Sequence, residues 1–394
     1  MARLILAINA GSSSLKCALH EARRGERRVW SASITGLAGQ PRLTLRHQDC
    51  PDEIDEGFAG GPISAPRALS LLLDRLRAGN LLPEITAAGH RIVHGGQDYF
   101  EPVGLDEAVL ENLRRLAPLA PEHQEINLAC VEAAMAALPG VPHVGCFDTA
   151  FHHRQPRLAR LYALPRALSD EGVMSYGFHG LSFALIAQSL EGVLGERAKG
   201  RIIVAHLGSG ASLCAIRDGR SIATTMGMTP LDGLPMSTRS GALDPGVVLH
   251  LIMDRHMPPP AVADLLAHRS GLFGVSGLSG DMTVLLGSAA PEAREAVDLF
   301  VYRAGRAIGS LAAALGGLDS LVFTAGIGEN SPEIRSRVCA AAGWLGVRLD
   351  EARNAAGEQV INAPDSAVDV LVLPTDEQSM IARLTRACLR HRRT

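Results

Sequence analysis

Two arginines have the chemistry to bind anionic groups. Arg91 stands in an apolar stretch bounded by glycines, and Arg239 stands among small residues. Arginine carries a rigid, permanently charged fork of donors that suits both carboxylate and phosphate oxygens. Transfer of a phosphoryl group to a carboxylate requires such cations around the oxygens of both groups. The residues alone favour this role and a structural salt bridge about equally.

Three segments combine an apolar strand with a turn of small residues. They are Leu4–Lys16, Ile202–Leu213 and Leu321–Asn330. Backbone N–H groups in such turns can cradle phosphate oxygens. Because the first two segments lie about half a chain apart, they indicate two related domains. Together the three segments predict an ATP site in a cleft between two domains.

Several polar residues have both a functional and a structural interpretation. His179 lies in an aromatic and glycine-rich turn, although a single histidine is more often structural. Asp148 ends a predicted strand, where a carboxylate also serves as a turn or cap residue. The adjacent His152 and His153 have no further ligands at a metal-binding spacing, which argues against a zinc site. Gly326-Ile327-Gly328 is not a dinucleotide fingerprint, because Ser331 occupies the place of the third glycine and starts a helix.

The composition narrows the class of protein. A length of 394 residues favours two domains, and a net charge of −3 gives no reason to expect nucleic acid or an anionic membrane as partner. Seven scattered cysteines without a CxxC motif indicate reduced thiols and a cytoplasmic protein. The first apolar run is too short for a signal peptide, and no run reaches the length of a membrane span.

The pattern of apolar residues predicts an α/β protein. A domain break is expected near 148–156, with the last helix packing back on the first domain. The predicted strands are Arg3–Asn9, Leu15–His20, Leu43–Arg46, Val141–Phe147, Arg201–Leu207, Ser212–Asp218, Asp319–Thr324 and Val368–Leu373. The predicted helices are Pro66–Ala78, Asp106–Leu116, a largely buried Glu292–Leu315, and Asp376–Leu389 with Met380, Ile381 and Leu384 inward. Asp49–Ala65 is predicted to be an exposed loop.

Seven segments in order resemble the acetate kinase family. They are Asn9–Lys16, Gly89–Gly96, Phe147–His152, Tyr176–Gly180, His206–Gly208, Thr238–Gly241 and Gly326–Asn330. The resemblance implies two related actin-like (ribonuclease H-like) ATPase domains with a nucleotide cleft between them, and a homodimer. The implied domains are residues 1–150, joined by the C-terminal helix 378–394, and residues 151–377.

The resemblance also implies roles for individual residues. The catalytic residues would be Arg91, Asp148, His179, Arg239 and His123. Arg91, Val93, Phe178 and Pro230 would bind the substrate. The nucleotide would contact Lys16, His206, Leu207, Gly208, Ser209, Gly210, Asp281, Met282, Thr283, Gly326, Ile327, Gly328, Glu329 and Asn330. Asn9 and Glu377 would hold Mg²⁺, with Mn²⁺ as an alternative.

The implied reaction is reversible phosphorylation of acetate by ATP, giving acetyl phosphate and ADP. Two alternatives stay open. One is a propionate or butyrate kinase, whose substrate is longer than acetate by one or two methylenes, a difference that binding sites discriminate weakly.

The other is a catalytically weak nucleotide-binding paralogue, which is suggested by departures from the family pattern. Glu122 and Glu125 replace a usual Leu and Pro, which predicts a high KM for acetate if Glu122 points inward. Thr283 replaces a usual Arg, which predicts weaker or broader nucleotide binding, and Phe183 replaces a usual His or Tyr.

Overall fold

The computed structural model describes residues 3–11, 13–22, 27–47, 54–58 and 61–391, without the side chains of Glu122 and His391. The chain forms two compact units. The first contains Met1–Ala150 and Asp376–Thr394, and the second contains Phe151–Thr375.

Both units are mixed α/β, which confirms the predicted class. The strands of the described residues are β1 (Leu4–Ala10), β2 (Ser14–Glu21), β3 (Arg28–Thr35), β4 (Arg42–His47), β5 (Ile54–Gly57), β6 (Ile85–Ile92), β7 (Val103–Gly104), β8 (His143–Phe147), β9 (Ile202–Leu207), β10 (Ala211–Arg217), β11 (Arg220–Thr224), β12 (Ser320–Thr324) and β13 (Asp369–Val372).

The helices of the described residues include several that the sequence pattern predicts. They are α1 (Ala65–Ala78), α2 (Glu107–Arg114), α3 (Pro121–Ala137), α4 (Arg157–Arg160), α5 (Arg166–Asp170), α6 (Gly180–Leu194), α7 (Pro245–Met253), α8 (Pro259–His268), α9 (Gly271–Ser276), α10 (Met282–Leu286), α11 (Pro291–Leu315), α12 (Ala325–Asn330), α13 (Pro332–Ala341), α14 (Glu351–Ala356) and α15 (Glu377–His391). Within the described ranges, no helix combines the length and hydrophobicity needed to cross a membrane.

The two sheets contain the same five-stranded topology. In the first unit the strand order is β5-β4-β3-β2-β1-β6-β8-β7, and in the second it is β11-β10-β9-β12-β13. The series β3-β2-β1-β6-β8 matches β11-β10-β9-β12-β13 in strand direction, because each begins with two antiparallel pairings and ends with two parallel ones. The predicted relationship between the two halves is therefore visible in their topology.

Helix α15 completes the first unit. It packs against β1 and β6, and its buried side chains include Met380, Ile381 and Thr385. A β-carbon added to Gly89 in β6 would lie 2.0 Å from Thr385 Oγ1, so only glycine permits this close approach. Leu384, predicted to point inward, is half-buried because the inward face runs through Ala382 and Thr385 instead.

Three sequence predictions need correction. The segment Asp49–Ala65 was expected to be a loop but contains the exposed edge strand β5; residues 49–53 and 59–60 lie outside the described ranges. Helix α11 buries only one face, and Tyr302 is 60% exposed. The turn expected at Gly326–Asn330 is the short helix α12, which ends where Ser331 caps α13. Strands β3, β6, β7 and β11 are additional to the predicted set.

Candidate active site

One edge of the first unit's sheet carries four polar residues. Asn9 lies near the end of β1, Arg91 near the end of β6, and Asp148 directly after β8. These three strands are parallel neighbours, so their carboxyl ends meet at the same edge, where ligands of open α/β sheets commonly bind. Glu377, the first residue of α15, lies there too, because Asn9 Nδ2 donates to its Oε2 at 2.5 Å.

Arg91 is held firmly within this group. Its Nε and Nη2 atoms both donate to Asp148 Oδ2, at 2.8 and 2.6 Å, and its Nη1 atom donates to Asn9 Oδ1 at 3.2 Å. The Arg91 side chain is 15% exposed and that of Asp148 is fully buried. The guanidinium is therefore preorganised, which lowers the entropy lost when it binds an anion.

The charges of this group influence one another. Burial raises the pKa of Asp148 to about 6, and the negative charge of Glu377 adds to the rise, although Arg91 opposes both. Burial disfavours the charged form of Arg91, but Asp148 and Glu377 together raise its pKa. Arg91 is thus a permanent cation beside a carboxylate that titrates close to neutral pH.

The same group has the chemistry of a magnesium site. Within the described part of the chain, Asp148 Oδ1 is buried and has no hydrogen-bond partner, so a cation or a bound ligand could satisfy it. Asn9, Asp148 and Glu377 offer oxygen donors, which a hard divalent ion prefers. No group of three or more His, Cys, Asp or Glu side chains could hold a metal in the described ranges. The residues fit an ion that keeps water and phosphate ligands.

Two carboxamides of α3 fix the backbone after Arg91. Asn127 Oδ1 accepts from Val93 N at 2.9 Å, and its Nδ2 donates to the carbonyl of Ala10 at 2.8 Å. Gln124 bonds both backbone groups of His94. Val93, which follows β6, is buried. His123, which lies on α3, is half-buried. The Asn9 and Arg91 strands are thereby joined through α3, a connection that is additional to the predicted site.

In the second unit, three cationic or polar side chains surround the Gly208–Gly210 turn. A β-carbon placed on Gly210 would lie 3.1 Å from His179 Nε2 and 3.8 Å from Arg239 Nη1. A β-carbon on Gly208 would lie 3.9 Å from His206 Nε2. The two imidazoles stack with ring centroids 4.2 Å apart. The absence of side chains at the two glycines leaves a space onto which these nitrogens face.

A buried histidine supports the backbone at His179. His179 has a φ of +58°, a left-handed conformation that is uncommon for a residue with a side chain. The ring of His152 bonds the preceding carbonyl of Phe178 at 2.9 Å and Ser221 Oγ at 2.8 Å. Burial lowers the pKa of His152 to about 4, so the ring is neutral. Both ring nitrogens of His152 are therefore engaged in hydrogen bonds that hold this backbone segment.

A cavity of about 570 Å³ in the second unit gathers most of the predicted nucleotide residues. Its lining includes Gly208, Ser209, Asp281, Met282, Thr283, Gly326, Ile327 and Asn330, together with Ser237, Gly280, Leu286, Ser331, Pro332 and Glu333. Asp281 caps α10 by accepting from Thr283 N. Among the described residues, no arginine or lysine side chain contributes to this lining, which suits the uncharged part of a nucleotide better than its phosphates.

Six predicted nucleotide residues lie elsewhere. Leu207 is buried, His206 and Gly210 stand at the turn described above, and Gly328 and Glu329 are absent from the cavity lining. Lys16 is an exposed residue of β2 in the first unit. Of the residues predicted to bind substrate, Phe178 is buried, and Pro230 is half-buried with its carbonyl accepting from Arg239 Nη1 at 3.1 Å.

The sequence matches the model of the acetokinase family over residues 4–383. This chain belongs to the acetokinase family. It is 48% identical to an acetate kinase of Rhodopseudomonas palustris over 97% of this chain and 98% of that protein. Among solved structures, a propionate kinase from Francisella tularensis superposes with a TM-score of 0.90 at 32% identity, covering 98% of this chain and 99% of that one. An acetate kinase from Porphyromonas gingivalis gives 0.85 at 35% identity, covering 98% and 100%. The family resemblance predicted from the motifs is confirmed.

Proposed function

We propose that this protein is an acetate kinase, which transfers the γ-phosphoryl group of ATP reversibly to acetate. As a member of the acetokinase family it is a phosphotransferase with a carboxyl group as acceptor. The observation that carries the proposal is the 48% identity with an acetate kinase over nearly the whole chain. The retained Arg91, Asp148, His179 and Arg239 speak against a catalytically weak paralogue.

The first unit's residues suit the acceptor and the metal. Acetate is ionised at neutral pH, so it needs no general base before it attacks phosphorus. Arg91, fixed by Asp148 and Asn9, supplies a permanent charge that can orient a carboxylate or an equatorial phosphoryl oxygen. We propose that Asn9 and Glu377, with Asp148 beside them, hold Mg²⁺. The bound ion would neutralise phosphate charge during transfer.

The second unit's residues suit the nucleotide. We propose that the cavity beside α10 and α12 holds adenosine, with Asp281 and Asn330 supplying its polar contacts. The Gly208–Gly210 turn, with His179, His206 and Arg239 around it, would then hold the phosphates. Imidazole N–H groups and one arginine would provide hydrogen-bond donors to the charge that develops on the transferring group.

A homodimer is part of the same proposal. Helix α7 is almost entirely apolar, yet none of its residues is buried. Val247, Leu249 and Met253 are 40%, 55% and 65% exposed. A second copy of this chain would remove these side chains from water. The cytoplasmic location remains a prediction from cysteine usage.

The decisive experiment traps acyl phosphate with hydroxylamine in the presence of ATP and Mg²⁺. Acetate, propionate and butyrate are compared at equal concentrations. We expect the highest kcat/KM with acetate. A propionate kinase is the second candidate, because the Francisella propionate kinase superposes so well on this chain, and a higher kcat/KM with propionate would establish it. ATP binding without acyl phosphate from any of the three acids would refute both.

A further inference from the structure

Two hydroxyl groups connect His206 to the end of the second unit. His206 Nδ1 lies 2.8 Å from Ser182 Oγ, and Thr375 Oγ1 lies 2.9 Å from the same Ser182 oxygen. Ser182 is fully buried in the first turn of α6, and Thr375 is the last residue of the unit. The three side chains form a continuous hydrogen-bonded series, the Thr375–Ser182–His206 relay.

The direction of the relay can be worked out from the donors available. The geometry at the two oxygens makes Thr375 the donor and Ser182 the acceptor. The proton of Ser182 must then go elsewhere, and a buried hydroxyl proton without an acceptor is costly. Within the described part of the chain, His206 Nδ1 is the remaining partner of the Ser182 hydroxyl. Ser182 therefore donates to Nδ1, which must be unprotonated.

This direction fixes the tautomer of His206. A neutral imidazole with an acceptor at Nδ1 carries its proton on Nε2. A second proton would have to occupy Nδ1, the atom that accepts from the Ser182 hydroxyl at 2.8 Å. Nε2 is also the atom that faces the Gly208–Gly210 turn. The relay thus places an N–H donor on the side where phosphate oxygens are proposed to bind.

Thr375 is also hydrogen-bonded to α12, the helix that lines part of the cavity. Its backbone N–H donates to Glu329 Oε1 at 3.0 Å, and the same oxygen accepts from Ala325 N at 2.8 Å. Ala325 precedes Gly326 and Ile327, which line the cavity. This explains why Glu329 is absent from the cavity lining: its carboxylate joins α12 to Thr375.

We propose that Thr375 is a positioning residue which, through Ser182, holds His206 as a neutral Nε2–H donor toward the phosphoryl oxygens of the nucleotide. The part concerning the phosphoryl oxygens rests on the proposed function. Thr375 itself touches neither nucleotide nor acetate in this proposal. Its effect is to select one of two tautomers.

The test measures the His206 tautomer directly. The full chain is labelled with ¹⁵N-histidine, and the His206 signals are assigned by their loss in His206→Gln. The ¹⁵N shifts of the two ring nitrogens identify which one carries the proton. We expect only the Nε2–H form in the unsubstituted protein. Thr375→Val, which removes the hydroxyl at nearly constant shape, should allow the Nδ1–H form to appear, and Thr375→Ser should restore the single tautomer.

Kinetics complete the test. Loss of one positioned donor should lower kcat in Thr375→Val by about five- to tenfold while the KM for acetate stays unchanged. Thr385→Val is the control, because it removes a hydrogen-bonded threonine hydroxyl in the first unit, where the Thr385 Oγ1 atom donates to the carbonyl of Ile381. If Thr375→Val does not fold, Ser182→Ala removes the same relay and should free the tautomer equally.

Two outcomes would overturn the proposal. One is an Nδ1–H form of His206 in the unsubstituted protein. The other is an unchanged Nε2–H form in both Thr375→Val and Ser182→Ala. Failure of the proposed function is a separate result, since it would show as missing acyl phosphate in the unsubstituted protein, whatever the tautomer of His206.

Discussion

Arg91 donates two hydrogen bonds to a single oxygen of Asp148, and within the described residues the other oxygen of this buried carboxylate has no hydrogen-bond partner. The pair is a salt bridge and also a candidate binding group. The two interpretations of Arg91 that the sequence left open therefore do not exclude each other. Substitutions here should change both stability and activity, and the two effects can be separated.

Replacing Arg91 by Ala should lower kcat by about 10²–10³-fold, because one preorganised charge is lost. It should also destabilise the protein by about 3–5 kcal/mol, since Asp148 stays buried without its partner. Adding Asp148→Asn should recover most of the stability but none of the activity. Acyl phosphate trapping and urea unfolding measure the two effects. The control Arg348→Ala breaks an exposed pair with Asp365 and should change neither. An Arg91→Ala protein with ordinary kcat would disprove the assignment.

The pKa of Asp148 predicts a pH dependence of stability. Because this pKa is raised to about 6 in the folded protein, the folded state binds more protons than the unfolded state between about pH 4 and 6. The contribution of Asp148 to the free energy of unfolding is therefore largest at low pH and is lost as the pH rises through about 6. Asp148→Asn should gain stability relative to the unsubstituted protein over this range. A constant difference between the two urea curves would show an ordinary pKa.

Arg239→Ala should lower kcat by about 10²–10³-fold with little change in thermal stability. Arg239 is half-buried, and its Nη1 atom bonds a backbone carbonyl. Arg91, in contrast, is paired with the buried carboxylate of Asp148. Arg269→Ala is the control in the same unit, because Arg269 pairs with Asp264 on the surface. Equal kcat values for both variants would remove Arg239 from the site.

Thr283→Arg should lower the KM for ATP. Thr283 lines the cavity close to Asp281, and an arginine would add a planar charged group able to stack on the nucleotide. The neighbouring Val284 is 55% exposed and absent from the lining, so Val284→Arg adds the same charge outside the cavity. Initial rates with ATP and GTP distinguish the two variants. If Thr283→Arg and Val284→Arg lower the KM for ATP equally, the added positive charge is responsible rather than a contact at position 283.

Leu249→Asp should convert the proposed dimer to a monomer. Leu249 is in the middle of the exposed apolar helix α7, and burying an unpaired carboxylate in an interface is costly. Light scattering measures the mass of each species. Leu158→Asp is the control, because Leu158 is 86% exposed on α4 in the same unit. A Leu249→Asp protein with an undiminished dimer mass would place the interface elsewhere.

The elements that the sequence predicted correctly are those with strong local signals. Helix α1 has leucines at helical spacing, Ser64 as its cap and Pro66 in its first turn. Ser331 and Pro332 mark the start of α13 equally well. Helix α12 was predicted as a turn because its two glycines disfavour helix in isolation. Its structure depends on Glu329, which caps Ala325 from within and bonds Thr375.

Residues of the candidate site were predictable only where they belong to a recognisable motif. Arg91 and Asp148 stood out by residue type and position, and their pairing is what the parallel strands impose. Ser182 and Thr375, in contrast, are separated by 193 positions, and no local pattern relates them. Gln124 and Asn127 lie in α3, a helix outside the predicted set, and their burial depends on how α3 packs on the sheet. The side chain of Glu122, on which the predicted high KM for acetate depends, lies outside the described residues.

The placement of α15 has a consequence for biosynthesis. The strands of the first sheet are translated early, but the helix that packs on β1 and β6 follows the entire second unit in the sequence. The second unit is continuous and has all its own strands before α15 is made. We therefore expect the later-synthesised unit to reach its native state first, the reverse of the usual order on the ribosome. Until then, the uncovered face of the early sheet would be a natural target for chaperones.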